Sequence, residues 1–345
     1  MPSKSKNVAI IAVAGARKTQ TVIDGALDQR EKRTLITTYT NENLRQIAAR
    51  IQAREGVVPF HLTLRGWFSF LLGEAIRPYQ SFSLGKASLV RGLNFEGARH
   101  RYISREKNRH AYYLDRHHDV YRGGVSDLAC FTNSLSTGLV ISRLEEVFDR
   151  IYIDEIQDMV GYDLDFLDLL FKSRIEITVV GDPRQYTLAT NEGARNKKYR
   201  GVGLTDWLDE RVDYCHRENR NVSSRCSQGI CDFASALFPG LPALTAEAQQ
   251  PTGHDGIHTI APNQVHEYVA AYQPVILRHS KLAETLGHPA MNIGVAKGST
   301  FDRVLIFTTK PMREYLIIQD LAKLKNPESL YVAVTRARHS ATFVV

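Results

Sequence analysis

The sequence predicts an α/β protein built as two domains, each a parallel sheet covered by helices. Three observations predict it. The chain has 345 residues, more than one compact core usually takes. Continuous apolar runs alternate with helix-period segments, as when buried parallel strands are joined by crossover helices. Polar clusters follow several of those apolar runs, and in such sheets ligands sit at the carboxyl ends of the strands. The division is expected near residue 210, with 1–210 as the first domain and 211–345 as the second.

The first predicted strand is 8–14, the apolar run Val8 to Ala14. A strand at 34–39 follows, then a helix from Asn41 to Glu55 that places Leu44, Ile47, Ala48 and Ile51 on one face, with Asn41 as its cap. Strands are predicted at 60–64, 150–155 and 177–182. A helix from Asp163 to Lys172 carries Leu164, Leu167 and Leu170 at helical spacing. The segment 84–126 is the least regular and reads as an insertion on the first domain. In the second half, strands are predicted at 256–260, 274–278, 292–296, 303–308 and 341–345, with 239–255 as a loop.

A hydrophobic fraction of 43% and a charged fraction of 23% are those of a soluble globular chain. No apolar run approaches the roughly 18 residues that would cross a bilayer. The basic start leads into a buried strand rather than a signal sequence. Cys130, Cys215, Cys226 and Cys231 form no CxxC pair, which argues against a structural zinc site and fits free thiols in a reducing cytoplasm. Lys plus Arg number 44 against 37 acids, a net charge of +7. Between Lys86 and Arg122 stand nine Lys/Arg and four acids, interleaved with Tyr102, Tyr112 and Tyr113. Guanidinium groups and flat rings suit a single nucleic-acid strand, and a solvated surface insert reads the same way.

The chemistry starts after the first strand, at Gly15-Ala16-Arg17-Lys18-Thr19. The phosphate-cradling pattern is G-x-x-x-x-G-K-[ST]; Lys18 and Thr19 are in register, Ala12 holds the first glycine slot and Arg17 the second. If Arg17 needs a positive φ it costs about 1–2 kcal/mol of strain. If not, its guanidinium can supplement Lys18 against phosphate. The run Ile151-Tyr152-Ile153-Asp154-Glu155 delivers two acids to a strand end, suiting Asp154 to a magnesium ion and Glu155 to the attacking water. Gly181-Asp182-Pro183-Arg184-Gln185 ends another strand, from which Gln185 can reach a terminal phosphate.

The order and spacing of these segments resemble superfamily 1 helicases of the UvrD/Rep type. Thr38-Tyr39-Thr40-Asn41 is similar to that family's TFTN segment, and Thr63 to Phe68 sits where a second strand-contacting segment occurs. Asp154-Glu155-x-Gln157-Asp158 matches DExQD and Gly181-Asp182-x-x-Gln185 the motif after it. Ser224-Arg225-Cys226-Ser227, Ala296-Lys297-Gly298-Ser299-Thr300-Phe301 and Tyr331-Val332-Ala333-Val334-Thr335-Arg336-Ala337 resemble three further motifs. The resemblance implies two RecA-like P-loop NTPase domains with the nucleotide site in the cleft between them. It implies ATP and Mg2+ as cofactors. The phosphates would meet Gly15, Ala16, Arg17, Lys18, Thr19, Gln185, Arg225, Gly298 and Arg336. Thr19 and Asp154 would hold the metal. Lys18, Glu155, Gln185, Arg225 and Arg336 would act in hydrolysis, Arg336 as the arginine that reaches the transferring phosphoryl group. Tyr39, Thr40, Asn41, Trp67, Tyr186 and Lys297 would meet the nucleic acid. Trp67 and Phe68 also read as core, and Tyr39 and Tyr186 carry both readings.

Four features depart from that pattern. Arg17 is one. Only seven residues precede the first strand, which leaves no adenine-reading segment. From Arg225 to Lys297 is too short for the large second-domain insertion. Ser299-Thr300 stands where the UvrD branch carries Leu-Glu. The expected function is a nucleic-acid-dependent ATPase motor, a DNA translocase or helicase on single-stranded or partly duplex DNA. The alternative is a non-hydrolysing, nucleotide-gated DNA-binding adaptor that regulates a partner nuclease. Compact proteins of this type resemble components of phage-conflict systems, so a nuclease or other subunit is the expected protein partner. RNA is the lesser variant of the track.

Overall fold

The computed structural model describes residues 6–86, 89–99, 102–187, 193 and 195–345. Of the basic residues counted in the insertion, Arg101 lies outside the described residues. The strands are β1 (Asn7–Ala12), β2 (Thr34–Thr38), β3 (Leu62–Gly66), β4 (Gly92–Asn94), β5 (Asp119–Tyr121), β6 (Arg150–Asp154), β7 (Glu176–Gly181) and β8 (Cys215–Arg220). They continue as β9 (Val222–Ser223), β10 (Thr245–Ala246), β11 (Gly256–Ile260), β12 (Val275–Arg278), β13 (Met291–Asn292), β14 (Phe301–Phe307) and β15 (Ala337–Val344). The chain divides into two compact units. The first holds Met1–Ile11, Lys18–Pro183 and Leu188–Glu218; the second holds Ala12–Arg17, Arg184–Thr187 and Asn219–Val345.

The first unit is built on a sheet ordered β3-β2-β6-β7-β1-β8, with β2/β3, β2/β6, β6/β7 and β1/β7 parallel. Its central strands are buried because Leu35, Ile36, Ile151, Ile153, Ile177 and Val179 are apolar on both faces. Helix α1 (Lys18–Asp28) buries Val22, Ile23, Ala26 and Leu27. Helix α2 (Asn41–Glu55) has the predicted bounds and buries Ile47 and Ile51. Its cap is Thr40, whose hydroxyl accepts from the Asn43 N–H at 3.2 Å, so Asn41 is the first helical residue rather than the cap. The 162–171 helix buries Leu164, Leu167 and Leu170 as the spacing predicts.

Within 84–126, β4 and β5 form a short parallel pair. Tyr113, Leu114 and Val120 are buried in the core of the first unit, so this segment is anchored rather than a loose solvated insert. Several of its charges are already engaged: Arg99 lies 3.9 Å from the Tyr112 ring centroid, and Arg105 pairs with Asp127 at 3.3 Å.

The second unit has a parallel sheet ordered β11-β15-β14-β12-β13. The predicted strand at 292–296 shrinks to Met291–Asn292, because the chain turns after Asn292. Inside the predicted loop, Thr245–Ala246 pairs in parallel with Val222–Ser223. Val13 and Ala14 also leave the expected first strand, which ends at Ala12, and join the core of this second unit. Among the described residues no helix is long and apolar enough to cross a membrane, and Cys130, Cys215, Cys226 and Cys231 are free thiols.

Candidate functional site

Strand register gathers the first cluster. Thr38 is the partner of Asp154, Asp154 of Val180, and Ile11 of Gly181, so β2, β6, β7 and β1 all end at one level. Helix α1 opens on Lys18 and Thr19, and Thr19 Oγ1 donates to Asp154 Oδ2 at 3.0 Å. Asp154 is buried, and burial, with the Glu155 charge next, pushes its carboxyl up to about 6. The Thr19 hydroxyl and the Lys18 charge oppose that shift. A buried, under-compensated carboxylate beside a threonine hydroxyl is a hard-oxygen donor set that fits Mg2+. Thr19 and Asp154 are therefore the residues that would hold it.

Glu155 has φ 62, a left-handed conformation that a non-glycine residue adopts only under constraint. Its carboxylate accepts from Gln157 Nε2, and Gln157 Oε1 accepts from the Asp182 N–H at 3.0 Å. Buried Gln157 thus ties the end of β6 to the end of β7. Gly181 makes this approach feasible, since a Cβ there would stand 2.4 Å from Gln157 Oε1. Gln157 was legible as a motif letter, but its bridging role needed the fold.

The second unit holds the loop 12–17 and the arginines. Gly15 has φ 83, and Arg17 sits at φ 56 where the phosphate-loop pattern has glycine. The strain is about 1–2 kcal/mol. The Arg17 guanidinium donates to Ser224 Oγ at 3.2 Å and to Glu247 at 3.1 Å. That ion pair is exposed and worth about 0–1 kcal/mol, too little by itself to offset the strain. Arg225 donates to the Thr335 carbonyl at 3.1 Å. Arg336 is buried, and its guanidinium meets the carbonyls of Val332 and Ser299 and, at 3.3 Å, Gln185 Oε1. The fold thus brings Gln185 and Arg336 together. Gly298, at φ 88, and half-buried Lys297 lie in the turn just before Ser299.

Among the expected nucleic-acid residues, Trp67 takes the core place that was its other reading. It is fully buried against Phe70 and Phe166, and its indole N–H donates to Asp163 at 2.7 Å, so it packs in the core beneath the cleft rather than standing exposed to a base. Tyr39 and Asn41 line a cleft of about 160 Å³ with Gly66, Trp67, Phe68, Ser69 and Phe95. Phe68 makes edge-on ring contacts with both Tyr39 and Phe95. Phe95 is 57% exposed and was missed, because it stands in the irregular insertion with no periodicity to mark it. Thr40 is engaged as the α2 cap, and Tyr186 is half-buried after the Gln185 turn.

The family model for the viral superfamily 1 RNA helicase core domain matches residues 140–345, more than half of the chain. The chain belongs to the viral superfamily 1 RNA helicase core family. Superfamily 1 is what the ordered motifs implied; the matched branch is the viral one rather than UvrD/Rep. The Ser299-Thr300 departure had pointed away from UvrD.

A solved arterivirus helicase shares the fold of this chain. Arterivirus nonstructural protein 10 (helicase) is similar over 100% of this chain and 61% of its own, at 15% identity and a TM-score of 0.51. Its complex with DNA gives 99%, 61%, 15% and 0.48 in the same order, and the PRRSV helicase 98%, 52%, 15% and 0.47. The chain therefore spans between half and two thirds of those proteins' lengths. No curated protein matches it in sequence.

Proposed function

We propose that this chain is the motor core of a nucleic-acid-dependent NTPase that hydrolyses ATP and translocates along a single strand. The observation that carries the proposal is the linked set Thr19–Asp154–Glu155–Gln157–Asp182 at the strand ends of the first unit. Lys18 would neutralise phosphate charge, and Thr19 and Asp154 would hold a magnesium ion, which when bound offsets charge on the phosphate oxygens. Glu155 would orient the attacking water and accept its proton. Gln185 would sense the terminal phosphate, and Arg336, hydrogen-bonded to it, would stabilise the transferring group together with Arg225. An arginine in that role is worth about 10³–10⁵ in rate.

The strand would run past Tyr39, Asn41 and Phe95, with Lys297 and Tyr186 as further contacts. The matched family's description names RNA, the arterivirus complex contains DNA, and the test runs both as oligonucleotides. Phosphate release is measured with and without each strand for wild type, Lys18→Ala and Glu155→Gln. Strand-stimulated hydrolysis by wild type alone supports the motor; equal rates in all three sink it.

The strained, ion-paired Arg17 favours one second reading, a nucleotide-gated binding module that does not hydrolyse. Nucleotide-dependent strand binding without phosphate release would decide for that module.

A further inference from the structure

The loop 12–17 is held mainly by the 220–225 segment, with the Ala14 N–H donating to the Tyr331 hydroxyl at 3.1 Å. The Val13 N–H donates to the Arg220 carbonyl at 3.0 Å. The Gly15 carbonyl accepts from both the Ser224 N–H, at 3.1 Å, and Ser224 Oγ, at 2.8 Å. The space beside Gly15 is filled: a Cβ there would stand 2.4 Å from Ser223 Oγ and 2.7 Å from the Arg225 Cβ. Arg17 completes the series through Ser224 and Glu247. Glu247 is itself positioned, because its N–H donates to the Ser223 carbonyl at 2.8 Å at the end of the β9–β10 pair.

We propose that Glu247 is a removable counter-anion for Arg17, and that the phosphates of a bound nucleoside di- or triphosphate compete with it for the guanidinium. This rests on the nucleotide site proposed above. Three features carry it. Arg17 keeps a left-handed backbone at a position the loop pattern gives to glycine, and such strain persists where the surroundings over-determine it. Its side chain and that of Glu247 are 66% and 53% exposed, so the pair is open to exchange. A guanidinium fork next in sequence to Lys18 suits a polyanionic phosphate at least as well as one carboxylate. Glu247 thereby sets nucleotide affinity without touching the nucleotide, and is a positioning residue.

The test is titration of wild type, Glu247→Gln, Arg17→Ala and the double variant with a fluorescent ADP analogue and Mg2+, beside Lys18→Ala. Glu247→Gln is expected to tighten binding about twofold to fivefold, the range of an exposed ion pair. Arg17→Ala is expected to weaken it and to cancel the gain in the double variant. Binding by wild type that is lost in Lys18→Ala but unchanged in Glu247→Gln overturns the competition alone. A gain from Glu247→Gln that persists in the Arg17→Ala background also overturns it. No binding by wild type overturns both the competition and the nucleotide site beneath it.

Discussion

Thr19 Oγ1 donates to Asp154 Oδ2 across 3.0 Å, joining the start of α1 to the end of β6 over 135 residues of sequence. A helix-start hydroxyl and a strand-end carboxylate in hydrogen-bond contact suit the shared cation that the proposed function gives them. Asp154→Asn should therefore abolish magnesium-dependent hydrolysis, a loss of at least about a hundredfold on the scale of removing one preorganised charge-stabilising group. Thr19→Ala should lose less, since the carboxylate remains. Phosphate release at several magnesium concentrations checks the order; equal losses would contradict it.

The same carboxylate makes stability depend on pH. Its folded value of about 6 lies above the ordinary 3.8, so between those values the folded chain holds more protons than the unfolded one. Its contribution to stability is thus largest at low pH and falls as pH rises from 3.8 through 6. In magnesium-free buffer, Asp154→Asn should melt above wild type at pH 8, and the gap should narrow by pH 5. A constant gap across that range would contradict the burial of an ionisable Asp154.

Trp67 separates a core role from a stacking role. Trp67→Phe keeps the ring but strands part of Asp163, which also accepts from Ser126. The expected loss is about 1–3 kcal/mol of unfolding free energy by urea titration, with single-strand affinity unchanged. A specific loss of strand affinity at unchanged stability would restore the stacking reading.

Phe95 is exposed beside the Tyr39–Phe68 edge contact and should behave in the opposite way. Phe95→Ala should weaken single-strand binding by about 1–3 kcal/mol, the worth of one base stacked on an aromatic ring, and barely change melting. Fluorescence anisotropy with a labelled oligonucleotide measures it, and undiminished affinity would remove Phe95 from the interface.

Gly181 tests the link between strand ends. In Gly181→Ala the new methyl would stand 2.4 Å from Gln157 Oε1 and 2.6 Å from Ile156 Cγ2. Crowding of this kind costs about 1–3 kcal/mol, and displacing Gln157 also releases Glu155 and Asp182. Lower stability together with slower hydrolysis is expected. Wild-type behaviour in both assays would show that the bridge is dispensable.

By itself the sequence determined the parallel α/β class, most strands of both sheets, and the residue types Lys18, Thr19, Asp154, Glu155, Gln185 and Arg336. These were legible because each is written locally, as an apolar run, a helical period or a polar cluster closing a strand. Polar β8, Cys-His-Arg-Glu-Asn-Arg, carries no such signal, yet it pairs at a sheet edge, where backbone hydrogen bonds need no apolar face. The two-residue strands β9 and β10 are too short to show any period.

Only the tertiary structure decided which side chains meet. It put Trp67 on Asp163 and Gln185 on Arg336, 96 and 151 residues apart in sequence. It also set Phe95 beside Phe68 and Glu247 on Arg17. Contacts at that sequence separation depend on strand order and packing, which no local pattern encodes. The left-handed φ of Arg17 belongs to the same class, since the docking of the loop holds it against the preference of the residue.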